Sequence, residues 1–302
     1  MSAMVPIDPA RAVTITAFRA MKAAQRPIVM ITAYDTPSAR LVDEAGVDAI
    51  LVGDSLGMTV LGFDSTLPVT LDDMVRHTAA VTRGAKRALV VADMPFMSFQ
   101  VTTEDALRAA GRLVAEGGAS AVKLEGGAHV APTVKRLVQA GIPVMGHVGL
   151  TPQSVNQLGG YKVQAREAEA ASTLIDDCLA LQDAGAFAIV LECIPAEIAL
   201  LVSHELTVPT IGIGAGEGCD GQVQVFHDLL GLGGDFLPRH AKRYADVGTL
   251  VREAVTAYAG DVRDRAFPGE EQSTHMDGAS LEAVRAARGR HLRRVSGSGT
   301  EA

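Results

Sequence analysis

The chain has 302 residues, a formal net charge of −8, 48% hydrophobic residues, 31 glycines and no tryptophan. That apolar content excludes a mostly disordered chain, and the acidic balance gives no general cationic surface for nucleic acid or anionic lipid. No apolar run matches a bilayer span, the N-terminus lacks a signal-peptide core, and the three cysteines, Cys178, Cys193 and Cys219, show no CxxC spacing, so the expectation is a soluble cytoplasmic protein with free thiols.

In chain order, TITAFRAMKAAQ places Ile15, Phe18, Met21 and Lys22 at helical spacing ahead of the first strand signal. Short β-branched runs then predict strands at 28–33, 48–53, 88–92, 119–124, 143–147, 187–192 and 208–213, with a weaker one at 229–232. Helical patterns lie between them. Thr70 caps a run with Leu71, Met74, Val75 and Thr78 on one face, and Gly84 is expected to stop it. TTEDALRAAGRLVAEGG repeats that grammar through Leu107, Ala110 and Val114, and Pro195 stands where a first helical turn tolerates proline. Residues 246–265 predict a last outer helix through Leu250, Val251, Val255 and Tyr258. Beyond Pro268 the chain turns polar and ends Gly/Ser-rich. Residues 269–302 are therefore expected to be a largely disordered tail, with a short basic helix around 280–294 as the alternative.

Alternating strands and helices with short joints favour a parallel sheet. An open doubly wound sheet needs fewer strands and usually a glycine fingerprint after the first; here AYDTPSARL follows it instead. A (β/α)8 TIM-type barrel over residues 1–268, with the N-terminal helix closing its floor, fits better.

In such a barrel the C-terminal strand ends share one rim, and there the apolar runs stop on polar groups: Asp54, Asp93, Lys123 and Glu125, His147, and Glu192. Any one of these acids alone is explained as a cap; the repetition over five strands defines a site. Clustered carboxylates repel unless a cation or protons intervene, and oxygen ligands without cysteine or paired histidine point to a hard ion such as Mg²⁺. Lys123 shares a strand face with Glu125 and either offsets charge or binds a carboxylate substrate. Glu192, on a distant strand, is free to act as a base, and His147 is either a hydrogen-bonding or a catalytic residue. GIGAGEGCDGQ (212–222) is either an anion-gripping loop, a lid or a close backbone approach. Cys193 is expected to point away from Glu192 as a packed thiol.

GDSLGM (53–58), STLPVT (65–70), ADMPFMS (92–98), KLEGG (123–127), GHVGLTPQS (146–154), GGYKVQ (159–164), LECIP (191–195) and GIGAG (212–216) together resemble the ketopantoate hydroxymethyltransferase family, from about residue 14 to 268. The resemblance implies a Mg²⁺-dependent barrel that uses 5,10-methylenetetrahydrofolate as one-carbon donor to a 2-oxo acid, in pantothenate synthesis. It implies Asp54 and Asp93 as metal ligands that also meet the substrate, Glu125 as the third acid of the metal environment, Ser55 and Lys123 as substrate-binding residues, and Glu192 as the base. It also implies a homo-oligomer, commonly a decamer. The rival readings are another Mg²⁺-dependent 2-oxo-acid lyase or phosphonopyruvate-type mutase on the same barrel, or a non-catalytic barrel. The mutase should carry a phosphate-binding cluster, and the non-catalytic barrel should have lost Asp54, Asp93 or Glu192.

Truncation after Pro268 is expected to leave the thermal midpoint and turnover nearly unchanged, because the tail offers few apolar residues to bury. Dissociation of the shortened protein into monomers in sedimentation would contradict this and make the basic segment an interface element.

Overall fold

Eight parallel strands pair in sequential order, and β8 returns to β1, closing a barrel. The computed structural model describes residues 11–234 and 237–297. Helix α1 (Ile15–Ala23) precedes β1 (Ile28–Thr32), followed by α2 (Thr36–Glu44), β2 (Ala49–Val52), α3 (Leu56–Thr59), α4 (Leu71–Gly84) and β3 (Leu89–Asp93). Then come α5 (Thr103–Ala115), β4 (Ala121–Glu125), α6 (Ala131–Gln139), β5 (Val144–Gly149), α7 (Val155–Leu158) and α8 (Ala168–Asp183). β6 (Ala188–Glu192), α9 (Ala196–Glu205), β7 (Thr210–Ile213), β8 (Gly221–Gln224) and α10 (Phe226–Leu230) follow.

Strand alternation sorts the buried side chains into two cores. Ile31, Ile50, Val90, Val122 and Leu191 pack outward with helix residues such as Met74, Leu113 and Leu181. Met30, Leu51, Leu89, Val91, Met145 and Val190 pack inward, in one cluster with Phe18 and Met21 of α1. Phe18 and Met21 are fully buried, and the Phe18 ring meets Phe187 edge-on at 5.7 Å. Lys22 ties the same helix to Asp220 at 2.7 Å and to the Ser203 carbonyl at 2.6 Å. Helix α1 therefore closes the floor, as its spacing predicts.

Seven strands fall within a few residues of their expected positions; the eighth does not. β8 occupies Gly221–Gln224, beginning at the end of the glycine-rich stretch 212–222, and pairs through Gly221 with both Ile28 and Ile211. Glycine is required there, since a Cβ would lie 2.5 Å from the Ile28 carbonyl oxygen. Residues 229–232 instead end α10, which stops on Gly231 at φ +66°. Thr70 caps α4 in a reciprocal box with Asp73. Gly84, however, is the last residue of that helix and not its left-handed stop. Its missing side chain lets α2 approach, because a Cβ would stand 2.5 Å from the Thr36 carbonyl oxygen.

The chain divides into two compact units between Val247 and Gly248. The second carries the predicted helix as α11 (Val247–Arg263) and a further helix, α12 (Gly278–Gly297). The latter lies where composition favours a largely disordered tail and matches the alternative, a basic helix around 280–294. Its Ala, Leu, Glu and Arg residues are strong helix formers, and Asp277 accepts from the Ser280 backbone N–H at 2.9 Å as a start signal. Among the described residues no helix is long and apolar enough to cross a membrane.

Phe18→Ala is expected to lower stability by about 3–5 kcal/mol, because it empties a fully buried site against a ring partner. Denaturant unfolding measures it. A loss below about 1 kcal/mol, the average for any substitution, would mean that α1 does not seal the barrel.

Candidate active site

The inward-facing column of each central strand is apolar below and ionisable at its C-terminal end. Leu89 and Val91 lead to Asp93 on β3, Ala121 to Lys123 and Glu125 on β4, Met145 to His147 on β5, and Ala188 and Val190 to Glu192 on β6. Asp54 and Ser55 sit in the turn that leaves β2 and enters α3. The same period-two pleat thus builds the inner core and delivers the polar groups to one place. Asp54, Asp93, Lys123, Glu125 and His147 are all buried, and Glu192 is half-buried.

The structure brings these residues into one connected network. The Asp54 backbone N–H donates to Asp93 Oδ2 at 3.0 Å. Lys123 Nζ lies 2.9 Å from Asp93 Oδ1, a charge contact off the alignment of a good hydrogen bond, and 3.1 Å from His147 Nδ1. His147 Nδ1 is 3.5 Å from Glu125 Oε1, and its Nε2 is 3.1 Å from Glu192 Oε2. A chain of ionisable groups therefore runs from β3 to β6.

Burial pushes the Asp54 carboxyl well above the usual range, and repulsion from Asp93 and Glu125 adds to it. Burial also raises Asp93, against the pull of Lys123. Glu125 goes the other way: burial is outweighed by His147, Lys123 and the Gln153 backbone N–H, which hold it low. Burial opposes the Lys123 ammonium, but Asp93, Glu125 and Asp54 keep it firmly charged. For His147, burial and Lys123 disfavour the imidazolium, while Glu125 and Glu192 win and lift its pKa to about 9. Neutral, the ring can accept from Lys123 at Nδ1 and face Glu192 with Nε2–H; charged, it turns Nδ1–H to Glu125.

Two residues of the network carry no signal that reading strand ends can find. Gln153, buried in the turn after β5, donates from Nε2 to Asp54 Oδ2 at 2.9 Å and to the Met94 carbonyl at 2.9 Å. Its backbone N–H donates to Glu125 Oε2 at 3.0 Å, and its Oε1 accepts from Gln100 at 3.0 Å. One side chain thereby links the turns after three strands. Tyr34, fully buried just past β1, shares a 2.8 Å hydrogen bond with Ser55 Oγ. Cys193 also departs from expectation. The strand is not regular beyond Glu192: Cys193 has φ +48°, is half-buried, and its Sγ lies 3.7 Å from His240 Nδ1.

Among the described residues no group of three or more His, Cys, Asp or Glu side chains is placed to hold a metal ion. What they do form is a buried Asp54–Asp93 pair with its negative charge only partly offset by Lys123. That donor set suits Mg²⁺, which is usually held by one or two carboxylates, with water and substrate oxygens completing the shell.

In fold the chain is similar to 2,3-dimethylmalate lyase, a PEP mutase/isocitrate lyase superfamily member, with a TM-score of 0.54 at 20% identity over 94% of this chain and 98% of that one. It is also similar to phosphoenolpyruvate phosphomutase from Streptomyces platensis subsp. rosaceus, with a TM-score of 0.56 at 14% identity over 95% and 99%. The class is thus a (β/α)8 barrel with an acid, lysine and histidine cluster on its C-terminal rim. The ketopantoate hydroxymethyltransferase family model matches residues 12–270. The 3-methyl-2-oxobutanoate hydroxymethyltransferase of Chloroflexus aurantiacus is 59% identical over 272 residues, 90% of this chain and 96% of the relative. Its counterpart from Gluconacetobacter diazotrophicus is 59% identical over 264 residues, 87% and 95%. The chain belongs to the ketopantoate hydroxymethyltransferase family and is a hydroxymethyl-transferring enzyme.

Gln153→Leu removes both side-chain donors from Asp54 and Met94 while keeping the volume. It is expected to cost about 1–3 kcal/mol by leaving buried acceptors unpaired, at roughly 2–4 °C of thermal midpoint per kcal/mol. A midpoint at or above wild type would show that Gln153 does not hold the network together.

Proposed function

We propose that the chain transfers a hydroxymethyl group from 5,10-methylenetetrahydrofolate to 3-methyl-2-oxobutanoate, giving 2-dehydropantoate (ketopantoate), with Mg²⁺ as the metal. The observation that carries this reading is the buried run from Asp54 and Asp93 through Lys123 to His147 and Glu192, which sets an anion-binding end beside a proton-accepting one. The names of the relatives supply the 2-oxo acid; folate and Mg²⁺ come from the family resemblance, and the donor set fits Mg²⁺.

Asp54 and Asp93 would hold the metal, with Glu125 close by. When bound, the ion supplies positive charge to the oxygens of the 2-oxo acid, where negative charge grows as the methine proton leaves. Lys123, fixed by Asp93, offers its ammonium to the substrate carboxylate. Ser55, held by Tyr34, presents a hydroxyl to the same ligand. Glu192 accepts the methine proton from C3, and the bonding pair moves into C2–C3, giving the enolate. His147, with Nε2 3.1 Å away, orients Glu192. The nucleophilic carbon then bonds to the folate methylene; over the whole reaction both C–N bonds of that methylene break, water supplies the hydroxyl oxygen, and the methine proton and one proton of water end on the two released folate nitrogens. A barrel mouth that limits water at the enolate protects it from simple reprotonation. Assembly as a homo-oligomer, commonly a decamer in the family, and a cytoplasmic location belong to the same proposal.

The test is exchange of the methine hydrogen of 3-methyl-2-oxobutanoate with D₂O, with Mg²⁺ supplied and folate omitted, beside a folate-dependence assay of full turnover. Wild type is expected to exchange, and to form product only with the folate. Glu192→Gln keeps shape and hydrogen bonding but cannot accept the proton, so exchange should fall ~10²–10⁴-fold. A loss of only about tenfold, roughly 1.4 kcal/mol, would remove Glu192 as the base, and a larger defect in His147→Gln would assign the role there. Turnover without folate would overturn the one-carbon reading.

A further inference from the structure

Two loops to which the chemistry above assigns nothing meet at Cys193, the residue after Glu192. The loop between α7 and α8 donates its Gln164 backbone N–H to the Cys193 carbonyl at 2.9 Å. The segment after α10 brings His240 within 3.7 Å of the Cys193 thiol. It also packs against Gly214, where a Cβ would stand 3.0 Å from the His240 Cβ. Among the described residues each loop carries more exposed cations than exposed acids: Lys162 and Arg166 with Glu167 on the first, and Arg239, Lys242 and Arg243 with Asp246 on the second.

Those cations are short of partners. Among the described residues, Lys162, Arg166 and Arg239 make no ion pair with a carboxylate, and Lys242 rests 4.7 Å over the Tyr244 ring. The chain as a whole is acidic, at −8, so unpaired positive charge gathered beside the rim departs from the average surface. It is also separate from the charge that meets the small substrate, since Lys123 is buried within the barrel. Next to Lys162, Tyr161 extends across the mouth, its hydroxyl 3.8 Å from Met58 Sδ, and both side chains remain largely exposed. An open aromatic and thioether pair, its tyrosine on the same loop as Lys162 and Arg166, matches a ligand that is flat at one end and anionic at the other.

We propose that Lys162, Arg166 and Arg239 form the seat for the glutamate carboxylates of the folate donor. The donor would lie with its methylene end toward Glu192 and its tail on the two loops at solvent. The proposal rests on the reading above that the one-carbon donor is a folate. The same charge would draw the anionic donor to the mouth before docking, and exposed contacts of this kind weaken as salt is raised.

The experiment compares 5,10-methylenetetrahydrofolate with 5,10-methylenetetrahydropteroate, which lacks the glutamate, in wild type and in a Lys162→Gln/Arg239→Gln double variant of the full chain. In wild type, KM for the glutamate-bearing donor is expected to be the lower of the two and to rise more steeply with salt. In the double variant it should rise about tenfold, the scale of two exposed charge contacts, so that the preference between donors largely disappears. If both donors lose equally, or neither loses, the tail does not sit on these loops. If the variant changes its sedimentation and loses equally toward both, the loops form an interface between copies and the proposal fails. If wild type uses neither donor yet exchanges the methine hydrogen, the folate reading itself fails, which separates the two ideas.

Discussion

The site depends on burying Asp54, Asp93 and Glu125 around one ammonium, that of Lys123. Taking ions out of water costs several kcal/mol each, and like charges at 4 Å repel by about 4 kcal/mol at the effective dielectric of a protein surface. Lys123, with His147 beside it, cannot balance these three acids and Glu192. The result is visible in the directions of the shifts: Asp54 and Asp93 are driven toward the protonated form, and Lys123 is locked in the charged one. Under the proposed function, a divalent cation with an anionic substrate is the addition that would relieve this imbalance.

The barrel tolerates that cluster because it separates stability from chemistry along one axis. Below the rim, the inward column is apolar and sealed by Phe18 and Met21, whereas above it the same strands carry ionisable groups. Side chains that would compete for water are therefore held by hydrogen bonds and not by packing. Gln153 bridges Asp54 to Glu125, and Tyr34 fixes Ser55. The exit from β6 shows a related constraint. Cys193 takes a left-handed backbone conformation directly after Glu192, while its N–H donates to the Ile213 carbonyl and its carbonyl accepts from Gln164. A β-carbon makes that conformation costly, so the surrounding bonds define where Glu192 stands.

Much of this was legible in the sequence, and the reason is periodicity. Asp93, Lys123, Glu125, His147 and Glu192 continue the alternation of their strands, so reading the apolar run to its end finds the residue and its face. Other features lie outside that rule. β8 begins on Gly221, whose role is a close approach to Ile28, and a glycine carries no β signal. Gln153 acts from a turn, where no period applies, and Tyr34 looks like the end of an apolar run. Gly84 has the composition of a helix stop but serves helix contact. Helix α12 follows local propensity and the Asp277 cap; the polar composition of the tail makes a basic helix around 280–294 the second reading and disorder the first.

The Asp54–Asp93 pair is proposed above as the seat for a divalent cation. Calorimetric titration of Mg²⁺ into the folded protein tests it without relying on turnover, comparing wild type with Asp54→Asn and Asp93→Asn at matched circular dichroism. One site per chain is expected, weakened by more than ~10-fold in each variant, since even groups supporting a ligand contribute that much to affinity. Equal Mg²⁺ affinity in wild type and both variants would contradict it.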